Sequence, residues 1–267
     1  MDFKIYFLYF ILYSIVGWCI EMIYCRICQG KWVDRGFLFG PYCPIYGFGA
    51  IILILSLQPF SANPILLFIL SLILTTTLEY VTSYIMEKLF NAKWWDYSHL
   101  PFNINGRVCL LNSLEFAILS LFLIYLIHPK VIDLINMIPS QYITLIATSF
   151  VIILAIDITA TVSALVNLKE KLLYLQTIGE QIKEKANNKM QNSALIKQLE
   201  ELKLDIINKK DILQNRLINA FPNIEMPKFN NTLEELKIAI HKYQYQKKTK
   251  RKKNLSIDKK ITKKYLK

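Results

Sequence analysis

Four carboxylates lie inside long apolar stretches of this chain: Glu21, Glu79, Glu115 and Asp157. An ionised carboxylate in hydrocarbon costs several kcal/mol unless it is paired, hydrogen-bonded or protonated. Such groups therefore face a bundle interior or a water-filled path, where they serve ions, protons or polar headgroups. At about 1.5 Å of helical rise per residue, Glu79, Glu115 and Asp157 come out roughly 10–14 Å from the same membrane boundary. Polar residues one turn away share their helical faces: Thr75, Thr76 and Ser83 around Glu79, Asn112 beside Glu115, and Thr161 beside Asp157. One reading is a polar vestibule for a cation, a proton or a headgroup. The other is that the acids bond to neighbouring helices, or pair with Arg35 and Arg107, and fix packing.

Two connecting segments carry the remaining candidate residues. The first runs Arg35-Gly-Phe-Leu-Phe-Gly-Pro-Tyr-Cys-Pro-Ile-Tyr-Gly-Phe-Gly49, and the second holds Trp94, Trp95, Asp96, Tyr97 and Ser98, followed by Asn103, Asn105, Gly106 and Arg107. Glycines let a backbone approach itself or a ligand. A helix starting near Arg107 would leave free N–H groups by Gly106 for an anion, with Arg107 as counter-charge. The plainer alternative is two interfacial turns with Trp94 and Trp95 as aromatic anchors and an Asp96–Arg107 salt bridge.

The elements that must position these residues are membrane helices. About 20 apolar residues cross a bilayer, and candidate spans fall near 4–24, 42–58, 64–86, 108–128 and 141–166. The second is the weakest: Gly36, Gly40, Pro41, Pro44, Gly47 and Gly49 crowd its approach, so a tilted, broken or re-entrant segment is expected. Arg26, Lys31 and Arg35 precede the second span, and Lys88, Lys93 and Arg107 lie between the third and fourth. The opposite loops hold only Lys130. The positive-inside rule then puts the N-terminus outside and the C-terminus in the cytoplasm.

The charge is divided just as sharply. Residues 1–167 carry 8 Lys and Arg against 9 acids, leaving 24 against 11 for the remainder of a chain whose net charge is +12. Expected domains are a transmembrane part over 1–167, a cytoplasmic helical or coiled-coil region over 168–247 and a basic, unstructured tail over 248–267. Leu165, Leu168, Leu172, Leu175 and Ile182 follow 3-4 spacing, and Leu195, Leu199, Leu202, Ile206, Leu213 and Leu217 resume it after a break at Asn187 to Asn192. Thr232-Leu-Glu-Glu235 has capping-box form, predicting a helix start at Thr232. The basic tail suits anionic lipid headgroups, and no nucleic-acid-binding fold accompanies it.

Cys19, Cys25, Cys28, Cys43 and Cys109 form no disulfide framework, and Cys25 and Cys28 lack a second ligand pair for a metal. His99, His128 and His241 are scattered, with no Ser-His-Asp or Cys-His set. No metal, no cofactor and no catalytic residue is expected, and a non-enzymatic role is favoured.

Gly17-Trp18 with Glu21, the Arg35 to Gly47 stretch, and Trp94 to Ser98 with Asn103 to Arg107 resemble the bacterial family labelled putative ABC transporter permease, the CmpB-type integral membrane proteins. The similarity covers roughly residues 5–165. It implies an all-α, multi-pass protein of the bacterial inner membrane that acts as a permease component. The chain has no Gly-x-x-x-x-Gly-Lys-[Ser/Thr] loop, so ATP hydrolysis would belong to a separate subunit. Two alternatives remain open: a membrane-embedded enzyme acting on a lipid or isoprenoid headgroup, with Arg35 or Arg107 on phosphate, and a scaffold or sensor that oligomerises through its coiled-coil tail.

Overall fold

The structure is a computed structural model that describes residues 2–30, 32–187, 197, 201, 212–221, 224–226 and 228–238. It is mostly helical. Helix α1 (Phe3–Gln29) starts where the Asp2 carboxylate accepts the Lys4 N–H at 3.1 Å, and ends at Gly30, whose φ of 67° closes an N–H bond to the Arg26 carbonyl. Helix α2 (Pro44–Leu57) has proline at its first position and tightens into a 3₁₀ turn over Gln58–Phe60. Helix α3 (Pro64–Phe90) is capped by Asn63, which accepts from the Ile65 and Leu66 N–H groups.

The next helical run has three parts: α4 (Leu110–Phe122), a π-helical turn over Leu123–Ile127, and α5 (His128–Asn136). Pro129 lacks an N–H, and its ring would clash with the carbonyl four residues back. A widened turn just before it lets the helix continue. The run therefore reaches Asn136 rather than stopping near residue 128, and Lys130 lies on a helix rather than in a loop. Helix α6 covers Ser140–Asn187.

Among the described residues, four segments are long and apolar enough to cross a membrane: Phe3–Ile27, Pro64–Phe90, Leu110–Asn136 and Ser140–Gln181. The second expected span, Pro44–Phe60, is shorter. Its 14 α-helical residues rise only about 21 Å against a hydrocarbon core of about 30 Å. Among the described residues the protein is thus a multi-pass bundle of four long apolar helices and one short apolar helix, the short one being the span that reads as weakest in the sequence.

The chain divides into two compact units, the first comprising Met1–Leu165 with Asn219–Glu225. In the first unit, α1 and α2 cross closely. A Cβ at Gly17 would collide with the Tyr46 ring, and one at Gly47 would lie 2.6 Å from the Phe10 carbonyl oxygen and against Ser14. Small residues at such crossings let backbones approach and gain dispersion contact. Leu8, Tyr13, Leu53, Leu57, Leu67 and Ile135 are among the core away from the connecting loops.

The second unit comprises Val166–Ile218 and Met226–Lys267. Leu168, Leu172, Leu175 and Ile178 are buried along the expected 3-4 stripe, and Leu217, Met226, Leu233 and Leu236 are buried as well. Helix α7 covers Ile212–Ala220, and a last helical stretch covers 230–238, starting two residues before Thr232. The leucine pattern from Leu195 to Ile206, the side chains of Ile182 and Leu213, and the tail over 248–267 lie outside the described residues.

The α1–α2 crossing makes a direct prediction. Gly47→Val forces the helices apart and lowers stability in detergent by about 1–3 kcal/mol, read as a lower thermal unfolding midpoint. Leu55→Val on the exposed side of α2 leaves the midpoint close to wild type.

Candidate functional site

The loop between α1 and α2 is held by one carboxylate. Asp157 on α6 is 9% exposed, and four donors converge on it. Oδ1 accepts the Phe39 N–H at 2.8 Å and the Thr161 hydroxyl at 3.1 Å, while Oδ2 accepts the Gly40 N–H at 2.7 Å and the Tyr42 hydroxyl at 2.5 Å. Two backbone amides and two hydroxyls satisfy the buried charge, and the acid in turn fixes the loop. Burial, the Asp157 hydrogen bond and its negative charge hold the Tyr42 phenol above its ordinary range, so it stays an O–H donor. Leu38 and Tyr42 then pack with Ile11 and Leu154.

So anchored, the loop presents Arg35 to α1. Its Nη1 lies 3.6 Å from Glu21 Oε2 and 3.8 Å from Cys25 Sγ. Burial by itself would lower the Arg35 pKa, but Glu21 and Cys25 outweigh it and keep the guanidinium charged. Glu21 Oε1 accepts the Tyr46 hydroxyl at 2.7 Å, and Trp18 Nε1 donates to Asp34 at 2.7 Å, tying the loop to α1 a second time.

The second connection is a β-hairpin, where the sequence reads as either a helix start near Arg107 or an interfacial turn. Strands β1 (Asn103–Ile104) and β2 (Val108–Cys109) pair antiparallel around Asn105, Gly106 and Arg107, with φ values of 54° at Asn105 and 67° at Gly106. Successive positive φ at Asn-Gly is what a type I′ turn demands. Gly106 is required twice, since a Cβ there would also strike Asp96 and Ser98. The Gly106 carbonyl accepts the Tyr97 N–H at 2.8 Å, and the Asn103 side chain accepts the Gly106 N–H at 3.1 Å.

Of the two readings of this turn, the anion site would need N–H groups that are already engaged. Helix α4 begins at Leu110 rather than Arg107, and the Gly106 and Arg107 N–H groups are taken by Asn103 and Ile104. Arg107 pairs with Glu87 at 2.7 Å and lies over the rings of Tyr80 and Tyr84, while Asp96 accepts from Ser98 rather than pairing with Arg107. Asn105 donates to the Tyr80 hydroxyl at 2.9 Å. Trp94 is 4% exposed and wedged edge-on against Phe37, Phe90 and Phe221, not set out as an interfacial anchor. The segment bearing Phe221 also pairs its backbone with this connection: Lys93 N–H to the Glu225 carbonyl at 2.8 Å, and Glu225 N–H back at 3.0 Å.

Between these loops and the α1, α2, α3 and α4 helices lies a cavity of about 210 Å³. Its walls are mostly apolar, with Val16, Ile20, Leu53, Leu78, Phe116 and Leu119 among them. Glu21, Glu79, Tyr46, Tyr97 and Trp95 also line it, as do Thr75 and Ser120. Tyr13, also in the lining, has its hydroxyl 2.6 Å from His128 Nδ1. Glu79 is 6% exposed, and its Oε2 has no hydrogen-bond partner among the described residues. Burial and the neighbouring Glu79 and Glu21 carboxylates hold the Tyr97 phenol above its ordinary range, so it faces both acids as a neutral hydroxyl.

The four membrane acids therefore separate. Glu21 and Glu79 share the cavity, Asp157 is consumed by the loop, and Glu115 is exposed on α4 outside the cavity lining. On α4 the buried residues are Ser113, Ala117 and Ser120, a small-residue stripe that Glu115 does not share. In the sequence, that stripe is the signal that turns Glu115 away from the bundle interior, and the phenols Tyr46 and Tyr97 are the polar groups that mark the cavity wall.

A family model described as Putative ABC-transporter type IV matches residues 8–162, which include every residue lining the cavity. No curated protein and no solved structure matched the chain.

Asp157→Asn puts an amide N–H₂ where donors converge. Stability falls by about 3 kcal/mol, and the Phe39 and Gly40 amides, slow to exchange with deuterium in the wild type, exchange rapidly. Unchanged exchange at both amides would contradict the anchoring role.

Proposed function

Because the chain belongs to the family described as Putative ABC-transporter type IV, we propose that it is the membrane component of a transport system and that the cavity between α1, α2, α3 and α4 is its substrate site. The observation carrying this reading is Glu79 Oε2, a buried carboxylate oxygen without a hydrogen-bond donor among the described residues, on the wall of a mostly apolar cavity. A structural acid has its donors supplied by the fold, as Asp157 does. An acid left half-satisfied is relieved by what enters the cavity. ATP hydrolysis is assigned to a separate chain docking on the cytoplasmic side. The Arg35 and Arg107 ends of the bundle and the basic tail are placed on that side by the positive-inside rule.

The headgroup-enzyme alternative needs an arginine for phosphate. Both candidates are already engaged, Arg35 with Glu21 and Arg107 with Glu87, which favours transport.

Two measurements test the proposal. Cross-linking in native membranes is expected to capture an ATP-hydrolysing subunit. Ala50→Leu, which fills the cavity from α2, is expected to preserve that complex while lowering its ATP turnover several-fold. Absence of any ATPase partner overturns the transport assignment, and unchanged turnover in Ala50→Leu overturns the cavity as its site.

A further inference from the structure

We infer that the cavity takes a small organic monocation with an apolar body, its charged end at Glu79. The inference rests on the reading of the cavity as a substrate site and names the class of substrate.

Four observations carry it. The first is charge: the cavity is lined by two carboxylates, Glu21 and Glu79, and one neighbouring cation, Arg35, sits against Glu21. Glu79 is thus the acid without a counter-charge among the described residues, and its Oε2 lacks even a hydrogen-bond donor. A desolvated carboxylate is relieved by a proton or by a cation. The second is the surroundings of that acid. Tyr46, Tyr97, Trp95 and Phe116 line the same cavity, and their electron-rich faces attract ammonium groups while rejecting anions.

The third is what the cavity lacks. A hard divalent ion takes six or more oxygens, whereas much of the remaining wall is aliphatic, with Val16, Ile20, Ile45, Leu53, Leu78 and Leu119, and the Thr75, Ser120 and Tyr13 hydroxyls in it are engaged with the Ser71 and Phe116 carbonyls and with His128. An alkyl or aryl body pays no desolvation cost against such a wall and gains by burial. The fourth is size. At about 210 Å³ the cavity is below the roughly 300–1,000 Å³ of sites for drug-sized ligands, so the cation is small.

The probe is benzyltrimethylammonium, compared with its neutral isostere neopentylbenzene. Each is titrated calorimetrically into the full chain in nanodiscs of neutral lipid, with empty nanodiscs as the blank. Benzyltrimethylammonium is expected to bind saturably at one site per chain, and neopentylbenzene about tenfold or more weakly. Glu79→Gln is expected to remove that preference for charge, Glu79→Asp to retain it, and Glu115→Gln, outside the cavity, to behave as wild type.

The wild-type comparison needs no variant to fold: equal affinity for cation and isostere overturns the inference. So does a Glu79→Gln protein that is monodisperse and still prefers the cation. If benzyltrimethylammonium fails to bind while Ala50→Leu still slows ATP turnover, the substrate class is wrong and the transport reading stands. If the cation binds through Glu79 while Ala50→Leu leaves turnover unchanged, the cation site stands and the transport reading falls.

Discussion

Every carboxylate carried into the apolar bundle must be given donors, a counter-charge or a proton, and the loops of this protein are organised around how that requirement is met. Asp157 meets it in full. Its two oxygens take two backbone amides and two hydroxyls, and the three bonds from Phe39, Gly40 and Tyr42 fix the path of residues 39–42 against α6. Because that loop is fixed, Arg35 reaches Glu21 and Tyr42 packs with Ile11 and Leu154. Without the acid, the part-buried Phe39 and Gly40 N–H groups would lose their acceptor, at about 1 kcal/mol each.

The second connection solves a related problem with backbone geometry. The Asn105-Gly106 turn folds residues 103–109 back on themselves, and the Tyr97 N–H bonds to the Gly106 carbonyl. This sets Trp95 and Tyr97 in the wall of the cavity, facing the α1 and α3 acids. Glu21 is satisfied by Tyr46 and Arg35. Glu79 is left with one oxygen that has no hydrogen-bond partner among the described residues, and the chemistry of the cavity follows from that asymmetry: one acid anchors a loop, one is neutralised, and one is available.

Much of the bundle was legible from hydropathy, because the cost of exposing apolar residues and unpaired backbone to the wrong solvent is large and periodic. The short second helix was legible too, from the glycines and prolines before Ile45. The end of the fourth span was not, since Pro129 reads as a terminator and only the π-helical turn lets the helix pass it. Depth along a helix placed Glu79, Glu115 and Asp157 at one level, but depth leaves azimuth open. The buried Ser113, Ala117 and Ser120 stripe decides that Glu115 points elsewhere. The β-hairpin was hidden because its two-residue strands carry no periodic signal, although Asn105-Gly106 is a recognised turn pair. The Trp94 contact with Phe221 joins residues far apart in sequence, and no local pattern announces it.

The central claim is that Asp157 is spent on structure while Glu79 is available to whatever enters the cavity. Labelling by dicyclohexylcarbodiimide, which attacks protonated carboxyls in apolar surroundings, measures this difference directly when sites are mapped by mass spectrometry. The account predicts modification of Glu79, suppressed by saturating benzyltrimethylammonium, with Asp157 unmodified under the same conditions. Modification of Asp157 as fast as Glu79, or labelling of Glu79 indifferent to the cation, would contradict it.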